Sequence, residues 1–441
     1  MDPQLFPQAP LRVGLLGAGT VGSGTCRVLQ RNRDLISARA GRSIELALVA
    51  ARDVHKARAR IGPLAQIVDD ARQVVRHPDV DVVVEAIGGC TVARDLVLEA
   101  IAHGKHVVTA NKALLALHGD EVFDAARERG VMVAFEGAVA VAIPIVKTLR
   151  EALAANRVEW LAGIVNGTSN FILGEMLDKG VGFEPALQEA QRLGYAEADP
   201  AFDVHGIDAA HKLTLLAAMA FGTPVRFSDV HVEGIASLQR ADHEQAERMG
   251  YRIKLLAIAR RREAGLELRG HPAWVPQRAM LASVDGAMNG VMVKADAAGL
   301  TMYCGAGAGA EETASAVIAD LVDVARLADA STEHRVPALA FQHEAMRPLR
   351  VLPIQEASMA HALRVPVDGS FRAMDRVLQV LSNHGIGVHR RLEGCTPVDG
   401  REFALVTDQA CDGNMHKAVA ALHSLACVRA PVRRLRIERL N

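Results

Sequence analysis

The sequence predicts an α/β protein that opens on a doubly wound parallel sheet, continues into a mixed α+β body and closes on a small βαββαβ unit. Three observations carry this. Short apolar runs alternate with helical stretches through roughly the first 135 residues. A glycine-rich loop follows the first of those runs and opens a helix. The last 85 or so residues read strand, helix, strand, strand, helix, strand.

Arg12–Leu16 is the first apolar strand, and a helix is predicted from about Val21 to Leu35. Ile44–Ala50, Val80–Glu85 and His106–Thr109 are the next strands, and Val131–Phe135 adds another. Strands separated by helical stretches in this way form a parallel sheet with right-handed crossovers. From about 138 the pattern changes. Val158–Val165 reads as a strand and Asp203–Phe221 as a helix, with strand-like segments around 251–260, 279–285 and 290–294. Glu311–Ala328 is an apolar helix that is predicted to return to the first domain. Pro337, Pro348 and Pro353 mark a linker. The final unit has strands at about Ala360–Val367, Ile386–Leu392, Glu402–Asp408 and Cys427–Ile437, and helices at Phe371–His384 and Asn414–Leu425. That order is ferredoxin-like. The expected domains are therefore 1–137 with a return segment at about 311–330, then 138–310, a linker at 331–356, and 357–441.

The 50 basic and 51 acidic residues nearly cancel, so no long-range field draws the chain to nucleic acid or to an anionic membrane. No apolar stretch approaches the roughly 20 residues that span a bilayer. The Pro- and Gln-rich segment Met1–Pro10 lacks the features of a signal peptide. Six cysteines, at 26, 90, 304, 395, 411 and 427, form no Cys-x-x-Cys pair. That argues against zinc and for reduced thiols, with the cytoplasm as the expected compartment. Arg433, Arg434 and Arg436 are expected on the solvated face of a last strand.

The loop Gly17-Ala18-Gly19-Thr20-Val21-Gly22 sits where a Rossmann-type dinucleotide site requires it. Gly17 allows the tight turn, Gly19 lets the pyrophosphate approach, and Gly22 lets helix and strand pack closely. The helix N-terminus supplies free N–H groups and a positive dipole end. At the end of the second strand, Arg52 suits the 2′-phosphate of NADP, while Asp53 beside it keeps NAD open. Lys112 follows the fourth strand, at the edge where such sheets bind ligands.

The densest polar segment is Gly194–Lys212. Asp208 and Lys212 are four apart on the expected helix and share a face. A lysine at the edge of an apolar core can exchange protons, because burial disfavours its ammonium. The bland reading is an exposed ion pair worth a few tenths of a kcal/mol. His205 and His211, six apart, are poorly spaced for one metal ion and read as structural or solvent-facing.

On these motifs, with Asp81–Gly89, Gly104–Leu114, Gly163–Leu173 and Gly305–Val317, the chain resembles the homoserine dehydrogenases over nearly all of residues 11–330. It is similar to their monofunctional form, and the C-terminal unit looks like an ACT domain. The resemblance implies NAD(P)-dependent interconversion of L-homoserine and L-aspartate 4-semialdehyde, on the route to threonine, methionine and isoleucine. It implies that Lys212 and Lys112 are catalytic and that Glu197, Asp208 and Asp203 bind substrate. It sets Gly17, Gly19, Thr20, Val21, Gly22, Arg52, Lys112, Gly194 and Gly309 at the cofactor, NADP or NAD. It implies a structural sodium ion at Glu136, Val139, Val141 and Ile143, an amino-acid effector at the ACT-like unit, and a homodimer or homotetramer.

Two departures from the family pattern stand out. Val141 and Ala142 replace a pair of glycines before Ile143-Pro144, and Ala138 stands where Ser or Thr is usual. A valine at positive φ would be strained. The first βα loop of the last unit, Asp368-Gly369-Ser370-Phe371-Arg372-Ala373, lacks the usual Pro-Gly pair. Two alternatives stay open at this point: a cofactor-binding regulatory homologue with weakened turnover, and a dehydrogenase of another small amino-acid-like alcohol.

Overall fold

The computed structural model describes residues 8–368, 370, 372–395 and 401–440. Gly369 and Phe371 of the predicted effector loop lie outside the described residues, as does most of Met1–Pro10. The chain divides into two compact units. One holds the chain up to Glu159, His211–Phe227 and Met288–Pro348, and the other holds Trp160–Ala210, Ser228–Ala287 and Leu349 onward.

The first unit is built on six strands: β1 (Leu11–Leu16), β2 (Ile44–Ala50), β3 (Gln66–Val68), β4 (Val82–Glu85), β5 (His106–Thr109) and β6 (Val133–Ala134). All pair in parallel, in the order β3-β2-β1-β4-β5-β6. Their near-continuous Val, Leu and Ile content follows from burial on both faces. The order reverses between β1 and β4, which opens a crevice beyond their C-terminal ends.

Helix Ala310–Leu327 returns to this sheet, and its Val317, Leu321 and Val324 join Val13, Leu15 and Val84 in one core. Gly24 makes the return close, because a side chain there would overlap the Ala310 carbonyl. The Pro-containing segment beyond it folds as turns. Arg335 secures that segment, donating to the carbonyls of Gly130 at 2.8 Å, Leu327 at 3.1 Å and Ala328 at 2.7 Å. One guanidinium thus satisfies orphan carbonyls at the C-terminal ends of two helices, where a cation also meets the negative end of the helix dipole.

The second unit is organised by a long hairpin, Tyr251–Arg262 with Gly265–Pro276. Val158–Ile164 pairs antiparallel with its first strand. Arg433–Ile437 pairs in parallel with its second, Ala273 facing Arg436. Ser358–Val367, Arg401–Thr407 and Val388–Cys395 then continue antiparallel from Arg433–Ile437. Helices Ala373–Asn383 and Asp412–His423 complete the βαββαβ order of this last stretch.

Several sequence expectations need correction. The segment around 279–285 is a 3-10 turn, Met280–Ser283, and the neighbouring strand Gly265–Pro276 was not foreseen. The expected helix Asp203–Phe221 is two helices, Ala201–Val204 and Ile207–Phe221. Gly206 breaks it at φ 79°, against the Glu233 carbonyl. The first helix is also two, Thr20–Arg31 and Arg33–Ala40.

The expectation for the C-terminal arginines fails at Arg436, which is buried. Its strand is flanked on both sides, so its face turns inward. Arg436 meets Glu233 at 2.8 Å and Asp412 at 2.9 Å, and His361 also bonds Asp412 at 3.1 Å. Burial would raise the Asp412 carboxyl, but these partners hold it well below the usual carboxylate range. Beside them Arg269, 1% exposed, pairs with Glu267 and with Glu438, itself 2% exposed. Arg269 also donates to His271 Nε2 at 3.0 Å, while His271 Nδ1 faces the Pro272 carbonyl at 3.0 Å. Burial and the two nearby arginines keep that imidazole neutral, far below its ordinary pKa.

Breaking such a buried set leaves a charge without its partner. Glu438→Ala is expected to lower unfolding free energy by about 3 kcal/mol in urea titrations. Arg439→Ala, at an exposed neighbour, should change it by under about 0.5 kcal/mol.

Candidate functional site

The crevice of the first unit is a cleft of about 800 Å³ whose lining includes Gly17, Gly19, Arg52, Lys56, Arg60 and Gly88. Gly17 has φ 97°, and a Cβ there would lie 2.8 Å from the Ala86 carbonyl oxygen. At Gly22 a Cβ would overlap the Gly17 carbonyl. Gly19, by contrast, faces open space and caps helix Thr20–Arg31. A ligand oxygen can therefore approach the free N–H groups of that helix, whose first residues are Thr20 and Val21.

At the end of β2 the Asp53 carboxylate accepts the Lys56 N–H at 2.8 Å and caps helix Val54–Ile61. Arg60 donates to the Ala18 carbonyl at 3.1 Å. With Arg52 and Lys56 it gives this wall three cations, against a carboxylate committed to a helix end and Asp69.

Glu85, the last residue of β4, is 0% exposed. One oxygen accepts the N–H groups of Ile87 and Gly88, each at 2.9 Å, and the other accepts the Thr109 hydroxyl at 2.6 Å. Thr109 Oγ1 in turn accepts the Asn111 N–H at 3.0 Å. Asn111 donates to the Gly89 carbonyl at 2.7 Å and caps helix Lys112–Arg129 through Leu114 N–H at 3.1 Å. Two crevice loops are thereby tied together, and Lys112 is set on the first turn of a capped helix. Sequence reasoning missed Glu85, Lys56 and Arg60. The signal for Glu85 was an acid ending an all-valine strand.

The loop Glu136–Ile143 follows β6. Val141 has φ 53°, one of two non-glycine residues with positive φ among those described. Glu136 is buried, and its carboxylate accepts the N–H groups of Val146 at 2.9 Å and Lys147 at 2.8 Å. Its own N–H donates to Asp320 at 2.8 Å. Burial pushes the Glu136 carboxyl up, and burial beside Glu136 pushes Asp320 well above its ordinary value. Among the described residues no cluster of three or more His, Cys, Asp or Glu could hold a metal ion. Gly309 caps helix Ala310–Leu327 at φ 147°.

In the second unit Asn166 caps helix Gly167–Asp178, accepting the Ser169 N–H at 2.7 Å. Its Nδ2 donates to Asp203 at 2.7 Å and to Asp208 at 2.8 Å. Asp208 is 3% exposed; from His211 on, its helix Ile207–Phe221 is counted with the first unit, and there Lys212, one helical turn along the chain from Asp208, is 6% exposed. Gly194 ends helix Phe183–Arg192 at φ 80°. Glu197 is exposed on the loop beyond, where Gln191 donates to its carbonyl at 3.1 Å. Thr168 donates to the Tyr195 carbonyl at 2.7 Å, and the Phe171 and Tyr195 rings pack with centroids 4.6 Å apart. His205 is exposed, while His211 is buried edge-on against Phe227.

Two family models match this sequence: the NAD-binding domain of homoserine dehydrogenase over residues 17–136, and homoserine dehydrogenase over 144–322. The chain belongs to the homoserine dehydrogenase family. It is 51% identical to the homoserine dehydrogenase of Pseudomonas aeruginosa, over 98% of this chain and all of that one. It is 47% identical to that of Neisseria gonorrhoeae, over 98% of this chain and 99% of the other. The crystal structure of a homoserine dehydrogenase from Thiobacillus denitrificans matches with a TM-score of 0.94 at 52% identity, covering 98% and 99% of the two chains. Residues 17–136 of the first unit are thus a family NAD-binding domain, and the chain is an oxidoreductase. No helix among the described residues is long and apolar enough to cross a membrane.

The left-handed backbone at Val141 stores strain that glycine would release. Val141→Gly is expected to raise unfolding free energy by about 1 kcal/mol, net of the added freedom of the unfolded chain. Ala142→Gly, where φ is not positive, should give no gain in the same denaturation experiment.

Proposed function

We propose that this chain interconverts L-homoserine and L-aspartate 4-semialdehyde, with NADP as the preferred cofactor. The observation that carries the reading is the pairing of Asp203 and Asp208 on Asn166, one helical turn ahead of buried Lys212. An amino-acid alcohol presents an ammonium and a hydroxyl, and acceptor-only carboxylates beside a proton-exchanging lysine suit both.

In this reading Glu197, Asp203 and Asp208 hold the ammonium and orient the hydroxyl. The nicotinamide, when bound, supplies or takes the hydride. Lys212 gives a proton to the developing alkoxide during aldehyde reduction, and in oxidation its neutral amine takes the hydroxyl proton. Lys112 adds positive charge where the oxygen becomes an anion. Arg52, Lys56 and Arg60 support the 2′-phosphate of NADP, since Asp53 already serves a helix cap. The carbonyls of Glu136, Val139, Val141 and Ile143 are hard oxygen donors of the kind a sodium ion takes, and the loop holds a left-handed turn despite Val141. The βαββαβ order supports an ACT-like unit that binds an amino-acid effector, in a homodimer or homotetramer. Among the described residues the free cysteines Cys26, Cys90, Cys304, Cys411 and Cys427 support residence in the cytoplasm.

Purified protein should oxidise L-homoserine with NADP+ and, less well, with NAD+; no turnover with either would end this reading. Lys212→Ala should lower kcat by about 10²–10⁴-fold with cofactor affinity intact. Arg52→Ala should raise KM for NADP+ roughly tenfold, equivalent to about 1.4 kcal/mol, and leave that for NAD+ within about twofold.

A further inference from the structure

Asn166 stands at a junction that the reaction as proposed does not explain. It lies just past strand Val158–Ile164 and begins helix Gly167–Asp178. Its orientation is fixed: the Ser169 N–H can only donate, so the atom it meets at 2.7 Å is the amide oxygen. The amide nitrogen then faces Asp203 Oδ1 at 2.7 Å and Asp208 Oδ2 at 2.8 Å. Each of its two hydrogens serves a different carboxylate.

Those carboxylates belong to separate helices, Ala201–Val204 and Ile207–Phe221, on either side of the break at Gly206. Two carboxylates sharing one nitrogen are close enough to repel, and like charges at that range favour protonation of one of them. A pair of N–H donors opposes this by stabilising the charged forms. Ser169 adds a second tie, its hydroxyl donating to the Asp203 carbonyl at 3.0 Å.

We propose that Asn166 is the positioning residue of the substrate site, its amide holding Asp203 and Asp208 together as an ionised pair that receives the ammonium of the amino-acid substrate. It acts through those carboxylates, whose positions it fixes. The inference rests on the proposed reaction and deepens it by naming what keeps its anionic subsite charged.

Asn166→Asp separates this role from helix capping. Aspartate caps a helix as well as asparagine does, so the cap is retained. The substitution removes both N–H donors and adds a third carboxyl to the pair. The group then holds a proton to higher pH, and kcat/KM requires that proton to leave. The acid limb of the kcat/KM profile for homoserine oxidation should move up by about one pH unit or more. KM for homoserine should rise at least about tenfold, while NADP+ affinity, read by fluorescence titration, stays unchanged. Asn166→Ser keeps a cap without adding charge, and should raise KM with a smaller shift of the acid limb. Wild-type turnover is measured first, since its absence overturns the reaction itself. Wild-type turnover with an unaltered KM and pH profile in Asn166→Asp overturns the bridge alone. So does a loss in both variants that follows only a lowered melting temperature.

Discussion

A carboxylate taken out of water must be given donors, and several loops of this protein are the means by which donors are supplied. Glu85 is the clearest case. No water reaches it, so the chain beyond β4 turns back to offer two N–H groups, and Thr109 offers its hydroxyl. The crevice loops acquire their shape from this requirement. Glu136 does the same for the start of the segment at Ile145, and Asn166 does it for Asp203 and Asp208. Acids withdrawn from water thus order the chain around them.

The same constraint takes another form in the second unit. There the buried acids are met by arginines rather than by backbone. Glu267, Arg269 and His271 alternate along one face of Gly265–Pro276, and Arg436 and Glu438 alternate along the strand and tail beside it. A charged ladder of this kind contributes little net stability, because desolvation offsets attraction. It does fix register. A slip of one residue would turn every charge to the opposite face.

Much of the first unit was legible in the sequence, because its strands are uniformly apolar and its glycines sit where the turn demands them. The run Gly194–Lys212 was legible as a family signature for the same local reason. What escaped notice depended on partners distant in the chain. Gly265–Pro276 carries Glu267, Arg269 and His271 at alternate positions, which reads as a solvated stretch until their partners near residue 436 are known. Arg436 itself was read as a surface charge for that reason. Gly206 was hidden inside an apolar helical pattern, and only the approach of Glu233 shows why the chain must turn there. Glu85 and Asn166 look like ordinary polar residues. Their roles come from the groups that the fold delivers to them. Val141 was the exception: the family's glycine pair marked its position as one where a positive φ would strain valine, and its φ is 53°.

The sheet of the second unit has its strands out of biosynthetic order. Arg433–Ile437 is the last described strand to leave the ribosome, yet it lies between Gly265–Pro276 and Ser358–Val367. Until it emerges, those two strands present bare edges to one another and to any neighbouring chain. The nascent polypeptide therefore passes through a stage in which its largest sheet is split, with unpaired backbone and unmatched charges at the gap. Emergence of Arg433–Ile437 is what closes the seam. A chain lacking Arg433–Ile437 would be born as two half-sheets in need of a chaperone.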